Sequence, residues 1–183
     1  MRFVALGDSL TVGLCDPAPG GWRGWARLLA DSLDGAQLHN LARCGARAHD
    51  VATDRLAQAL AARPSLASVV VAVNDTLRGD FSLGQTARDV AYAAAALTQA
   101  GAIVLTARLP EPGAMLGLPD VVRRPLARRT HALNAVLDDL GSSVRHRPPR
   151  HRRPRTRTRP RHVGHRPAAP ERTGPPHART YVR

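Results

Sequence analysis

The sequence predicts an α/β fold in which helices cover both faces of a parallel sheet. Short apolar runs recur along the chain, and the clearest of them, residues 67–73, is apolar apart from Ser68. Such runs are typical of strands buried on both faces, as in parallel sheets. Helical patterns separate the runs, and strands that alternate with helices predict a parallel α/β architecture.

The individual elements follow from periodicity and from helix-boundary residues. Ser82 is placed to cap a long Ala-rich helix that Gly101 ends, and Asp120 to cap a helix through Leu140 that Gly141 closes. We predict the sheet order 2-1-3-4 for the four strands. The predicted strands are 3–6, 37–42, 67–73 and 103–105, and the earlier predicted helices are 22–33 and 50–62.

The chain changes character at residue 144. Residues 1–143 contain 14 Arg and 13 acidic residues, whereas residues 144–183 contain 13 Arg and one acidic residue, Glu171. The last helix of such a fold needs a further strand and helix after it, but residues 144–183 are Arg, Pro and His with almost no aliphatic side chains. We therefore predict an incomplete domain at 1–143 and a disordered tail at 144–183. A tail of this kind also binds phosphates, so a nucleic-acid-binding protein is a second hypothesis.

Other features narrow the class of protein. Cys15 and Cys44 are too few for a disulfide scaffold, and we interpret them as reduced thiols. The N-terminus has no secretory signal pattern, and no apolar run is long enough to span a membrane. The sequence therefore predicts a cytoplasmic protein, and nothing in it indicates a cofactor or a metal site. It does not indicate an oligomeric state.

Polar or glycine residues follow three of the predicted strands. Gly7-Asp8-Ser9-Leu10 follows the first strand, the segment 40–45 follows the second, and Asn74-Asp75 follows the third. In open parallel sheets, sites lie at these carboxyl ends. Ser9 can be an exposed nucleophile or a helix cap, Gly45 an amide donor to a ligand or an ordinary turn residue, and Asn74 an oxyanion donor or a cap.

In order and context, these three segments resemble the first three sequence blocks of the SGNH (GDSL) hydrolases, a family of bacterial esterases and lipases. The resemblance implies a three-layer α/β/α, flavodoxin-like fold that here lacks its last strand and helix. It implies that Ser9 is the nucleophile and that its N–H, the Gly45 N–H and the Asn74 side-chain amide form the oxyanion hole, supported by Gly7, Asp8 and Asp75. The implied substrate is a small-molecule or lipid ester, cleaved at an acyl or acetyl group through an acyl-enzyme. Ala72 departs from the pattern, which usually has Gly there.

The family's last block, Asp-x-x-His, supplies the general base, and this chain lacks it. No Asp in the sequence has a His three residues later. We predict that His39, His49 and His131 are structural or solvent-facing, and the five histidines of the tail have no partner Asp there.

A shifted reading frame accounts for the missing block. Synonymous codons for residues 166–177, read one base later, encode Asp-Arg-Leu-His-Pro-Ser-Glu-Arg-Gly-His-Arg, which contains Asp-x-x-His-Pro. Residues 159–165 can encode Asp-Arg-Ala-Met-Trp-Val-Thr in the same frame. We infer a frameshift near residues 142–144, in the gene or in its sequencing. The remaining hypothesis is a pseudoenzyme that keeps the pocket for binding.

Overall fold

The computed structural model describes residues 1–145, and residues 146–183 are outside it. The strands are β1 (Arg2–Gly7), β2 (Pro17–Ala18), β3 (Gly21–Trp22), β4 (Gln37–Asn40), β5 (Leu66–Val70) and β6 (Ile103–Thr106). The helices are α1 (Ser9–Val12), α2 (Gly24–Ser32), α3 (Ala48–Asp50), α4 (Leu56–Ala61), α5 (Val73–Leu77), α6 (Leu83–Gln99), α7 (Pro112–Met115) and α8 (Asp120–Arg145). A π-helical turn, Val51–Arg55, joins α3 to α4.

The main sheet has the predicted topology. Its order is β4-β1-β5-β6 and every pairing is parallel, which confirms the order 2-1-3-4 for the four predicted strands. β2 and β3 form a separate antiparallel hairpin that was not predicted. The parallel arrangement brings the carboxyl ends of β4, β1 and β5 to one edge, where the candidate site lies.

Side chains alternate along β1 between two apolar clusters, one on each face of the sheet. Val4 and Leu6 belong to the larger cluster, which α4, α6 and α8 help to build, and Phe3 and Ala5 belong to the smaller one with α2. Helices therefore cover both faces, as predicted. α2 is the helix that contributes buried residues to the smaller cluster.

β6 is an exposed edge within residues 1–145. It pairs with β5 alone among the described strands, and Ile103 is 67% exposed. This is the bare outer edge expected of a sheet whose next strand and covering helix are missing. The expectation that residues 144–183 build no fifth strand concerns residues that are almost all outside the described range.

Several predicted boundaries are wrong. The helix predicted at 22–33 begins at Gly24, because Trp22 lies in the hairpin strand β3. The strand predicted at 67–73 ends at Val70. Ser82 does cap α6, by accepting a hydrogen bond from the Gln85 amide, but Asp120 is the first residue of α8 rather than its cap, and α8 continues past Gly141.

Candidate active site

Ser9 is the first residue of α1, at the carboxyl end of β1. Asp8 caps this helix, since its Oδ1 accepts a hydrogen bond from the Leu10 amide at 3.0 Å. The helix cap is therefore Asp8, and Ser9, which the sequence left open as a possible cap, does not fill that role. The Ser9 hydroxyl makes no hydrogen bond to another residue of the described range, and its N–H has no acceptor within the helix.

Gly7 allows the tight turn between β1 and α1. A Cβ at this position would collide with the Thr11 side chain and with the Val70 carbonyl oxygen. Thr11 already donates its hydroxyl hydrogen to that carbonyl at 3.3 Å. Only a residue without a side chain lets the chain reverse here and place Ser9 above the sheet edge.

Gly45 lies in the loop after β4 with its backbone open to solvent. Its φ of +78° is in the left-handed region that favours glycine, and no heavy atom would lie within 4 Å of a Cβ built on it. Its amide donates to no other residue of the described part of the chain. The loop therefore presents an N–H that no described residue accepts, as an anion-binding amide requires.

Two hydrogen bonds to backbone carbonyls join this loop and the end of β4 to the Ser9 segment. The Arg43 amide donates to the Gly7 carbonyl at 3.1 Å, and the Asn40 side chain donates to the Thr11 carbonyl at 3.0 Å. Asn40 also accepts from the Ala42 amide at 3.1 Å. Asn40 thus connects the end of β4 to α1.

Asn74 lies in the first turn of α5 and contacts the Gly45 loop directly. Its Nδ2 donates to the Ala46 carbonyl at 3.0 Å. A primary amide carries two N–H groups, so one holds the side chain in place and the second is available to a ligand. The residue before this helix, Ala72, has a φ of +103° and is fully buried, which explains why glycine is the usual residue there.

Two buried carboxyl groups support these segments. Asp8 is 1% exposed and Asp75 2% exposed. Asp75 Oδ2 accepts from the Ala48 amide at 3.1 Å, whereas Asp8 Oδ2 has no hydrogen-bond partner within the described residues. Burial raises the pKa of both groups above 3.8, and the neighbouring Asp75 raises the pKa of Asp8 further, against the opposing effect of the Leu10 and Val73 amides.

The raised pKa of Asp8 predicts a pH-dependent cost to folding. Because the pKa of Asp8 is higher in the folded chain than its ordinary 3.8, its contribution to stability is complete below that value. The contribution is lost as pH rises through the folded pKa. Asn caps helices as well as Asp does, so Asp8→Asn should gain stability relative to the parent between pH 4 and pH 7. Urea unfolding across this range measures the difference.

Asp16→Asn is the matched control with the opposite sign. A hydrogen bond from Arg23 lowers the pKa of Asp16, so its contribution is present above 3.8 and is lost as pH falls. This variant should lose stability relative to the parent as pH rises from 3 to 7. Parallel curves for the parent and Asp8→Asn would contradict the prediction.

None of the described histidines forms a hydrogen bond with Ser9. His39 is exposed on the edge strand β4. His49 lies 3.5 Å from Asp89, and His131 lies 3.6 Å from Glu111, both at the surface. The prediction that these histidines are structural or solvent-facing agrees with their exposure, and the tail histidines are outside the described residues.

The sequence analysis missed residues that brace the site from a distance. Arg47 forms ion pairs with Asp75 and Asp80, and Arg129 of α8 donates to the carbonyls of Thr76 and Arg78 at the end of α5. These partners are separated by about 30 to 50 positions, so no local pattern could reveal them. Within residues 1–145, no group of three or more His, Cys, Asp and Glu side chains is arranged to hold a metal ion, and no helix is long and apolar enough to cross a membrane.

Comparison with known families identifies the chain's relatives. Residues 5–152 match the GDSL-like lipase/acylhydrolase family. The chain belongs to this family. By family, then, this GDSL protein is of the esterase/lipase type, and ester hydrolysis is the activity of its class.

Solved structures share the fold of this GDSL protein. TesA is 23% identical with a TM-score of 0.59, over 79% of this chain and 75% of its own. The psychrotrophic esterase EstA from a Pseudoalteromonas species, solved with monoethylphosphonate as inhibitor, is 18% identical with a TM-score of 0.58, over 79% and 73%. AlinE4, an SGNH-hydrolase family esterase, is 18% identical with a TM-score of 0.61, over 79% and 72%. At these identities the likeness shows the fold alone, and no curated protein matches the chain.

Proposed function

We propose that this protein is a serine hydrolase in which Ser9 attacks the carbonyl carbon of an acyl or acetyl ester. The observation that carries the proposal is the contact between Asn74 and Ala46. It holds the Asn74 amide against Ala46, the residue that follows Gly45, and one Asn74 N–H remains for a ligand. Three N–H groups, from Ser9, Gly45 and Asn74, would then receive the negative charge that develops on the carbonyl oxygen.

The proposed reaction has two steps. Ser9 Oγ bonds to the acyl carbon, the ester oxygen leaves as the alcohol after taking up a proton, and an acyl-enzyme forms. Water then attacks the acyl carbon, releases the carboxylic acid and returns the proton to Ser9. Each step needs a base to take the proton from the nucleophile, and the family takes it from Asp-x-x-His.

We propose that the chain as encoded lacks this base because residues 144–183 are read in a shifted frame. The bare edge at β6 supports this, since it leaves room for the last strand and helix that the resemblance to the family implies and that this chain lacks. The encoded chain is then a slow hydrolase, or a pseudoenzyme that binds esters without turning them over. Its substrates are small-molecule or lipid esters.

Covalent labelling tests the role of Ser9. Fluorophosphonate should add one phosphonyl group to the frame-restored chain quickly, to the encoded chain only on prolonged incubation with excess reagent, and to neither chain when Ser9 is replaced by Ala. The reagent captures a serine beside an oxyanion hole and reacts faster when a base takes the hydroxyl proton. Intact-protein mass spectrometry measures the adduct. Ser32→Ala is the control, since Ser32 is an exposed serine whose hydroxyl bonds to the Leu29 carbonyl, and this variant should be labelled like the parent. Equal labelling of Ser9→Ala would refute the assignment.

A further inference from the structure

Arg47 connects the Gly45 loop to the segment that carries Asn74. It lies two residues after Gly45, and its two terminal nitrogens bond to the two carboxylate oxygens of Asp80 at 3.0 and 3.3 Å. Its Nε lies 3.6 Å from Asp75 Oδ1. This guanidinium thus contacts two carboxylates, that of Asp75 inside α5 and that of Asp80 three residues after the end of α5.

Asp75 receives its compensation from the Gly45 side of the site. Its side chain is 4% exposed, and a buried carboxylate needs a partner charge or hydrogen bonds. The Ala48 amide bonds to Oδ2 and the Arg47 guanidinium faces Oδ1. Both partners belong to the segment 45–48, so the charge of Asp75 attracts this segment toward α5.

The outer half of the Arg47 contact is at the surface. Asp80 is 67% exposed and Arg47 is 32% exposed, and ion pairs of this kind add little net stability. A two-pronged Arg–carboxylate contact does, however, fix direction as well as distance. The Arg47–Asp80 contact therefore matters because it fixes the position of the segment 45–48, and not because it adds to the free energy of unfolding.

We propose that Arg47 is a positioning residue that holds the Gly45 amide at a fixed separation from the Asn74 side-chain amide. The effect of this positioning on catalysis rests on the proposed function. The contacts by which Arg47 holds the segment 45–48 against α5, at Asp75 and Asp80, do not depend on that function. The Asn74–Ala46 hydrogen bond is a further contact between these two segments.

The test compares Arg47→Met with Arg43→Met in the full chain. Arg43 lies in the same loop, is half exposed, and its side chain reaches only Asp50, at 3.9 Å, among the described carboxylates. Two readouts are recorded for each variant: the Gly45 amide resonance with its hydrogen-exchange rate, and the rate of Ser9 phosphonylation. The unfolding midpoint is measured as well, so that simple loss of stability is recognised.

Arg47→Met should move the Gly45 resonance, speed its exchange and slow phosphonylation by about 10-fold to 100-fold, since misplacement by an ångström costs this much. Arg43→Met should leave all three unchanged. Arg47→Lys should restore part of the rate, because it keeps the charge but not the two-pronged contact. Asp80→Asn, which removes the outer partner, should shift the Gly45 resonance in the same direction as Arg47→Met.

An unmoved Gly45 resonance in folded Arg47→Met overturns the proposal, as does equal slowing by Arg43→Met. If Arg47→Met does not fold, Arg47→Lys and Asp80→Asn decide, and unmoved Gly45 resonances in both overturn it. If neither the encoded chain nor the frame-restored chain is labelled at Ser9, the proposed function fails, and the Gly45 resonance still tests the positioning role by itself.

Discussion

Restoring the shifted frame from about residue 142 is expected to raise the turnover of p-nitrophenyl acetate on the order of 10⁴-fold or more. Loss of one member of the triad costs a serine hydrolase about 10⁴-fold to 10⁶-fold in kcat, because no base then takes the proton from the serine hydroxyl and only the oxyanion donors still act. We also expect the restored chain to regain the last strand and helix implied by the family's fold, next to β6, which is an edge strand among the described residues. The measurement is the kcat of the two versions side by side.

Ser9→Ala in the restored chain is the control and should abolish the gained activity. A second control replaces the His of the restored Asp-x-x-His block by Ala, which should return turnover to that of the encoded chain. If the encoded chain already turns over as fast as the restored one and needs Ser9, another residue is the base. His131, which pairs with Glu111, is then the first to replace.

Asn74→Ala is expected to lower the kcat of the restored chain by about 10²-fold to 10³-fold, with little change in KM. An oxyanion donor acts mainly on the charge that develops in the transition state, so its loss appears in kcat. The variant also removes the hydrogen bond to Ala46, which positions the amide. Steady-state kinetics with p-nitrophenyl acetate measures both constants.

Gln85→Ala is the matched control for this loss, because it removes an exposed amide from α6 that bonds to Asp89. It should leave kcat unchanged. Asn74→Asp should be at least as slow as Asn74→Ala, since a carboxylate cannot donate to the oxyanion and repels it. A kcat within a factor of three of the parent in Asn74→Ala would contradict the oxyanion role.

Most of the sheet could be predicted because β1, β5 and β6 are nearly pure apolar runs, whereas β4 contains Leu38 as its only apolar residue. β1 and β5 bury side chains on both faces, and this pattern is visible in the sequence without any tertiary information. The ends of the elements were harder to predict. β5 stops at Val70 because the chain turns at Ala72 in a left-handed conformation that alanine rarely adopts. The apolar run continues through this turn and gives no sign of it.

Other errors come from weak local preferences that tertiary contacts override. The two-residue strands of the β2–β3 hairpin have no period, so Trp22 was assigned to the following helix. Gly141 does not end α8, since a glycine inside a helix costs only about 1 kcal/mol. The segments of the site were found because each follows a predicted strand. Arg47, Asp80 and Arg129 were not found, because they act across long sequence separations.

A crystal structure of the phosphonylated protein would show whether Ser9, Gly45 and Asn74 converge on one oxyanion. We expect the phosphonyl group on Ser9 Oγ, with one of its oxygens about 2.7–3.1 Å from the Ser9 N, the Gly45 N and the Asn74 Nδ2. A phosphonyl oxygen that points into solvent, or an Asn74 amide more than about 5 Å from it, would contradict the account.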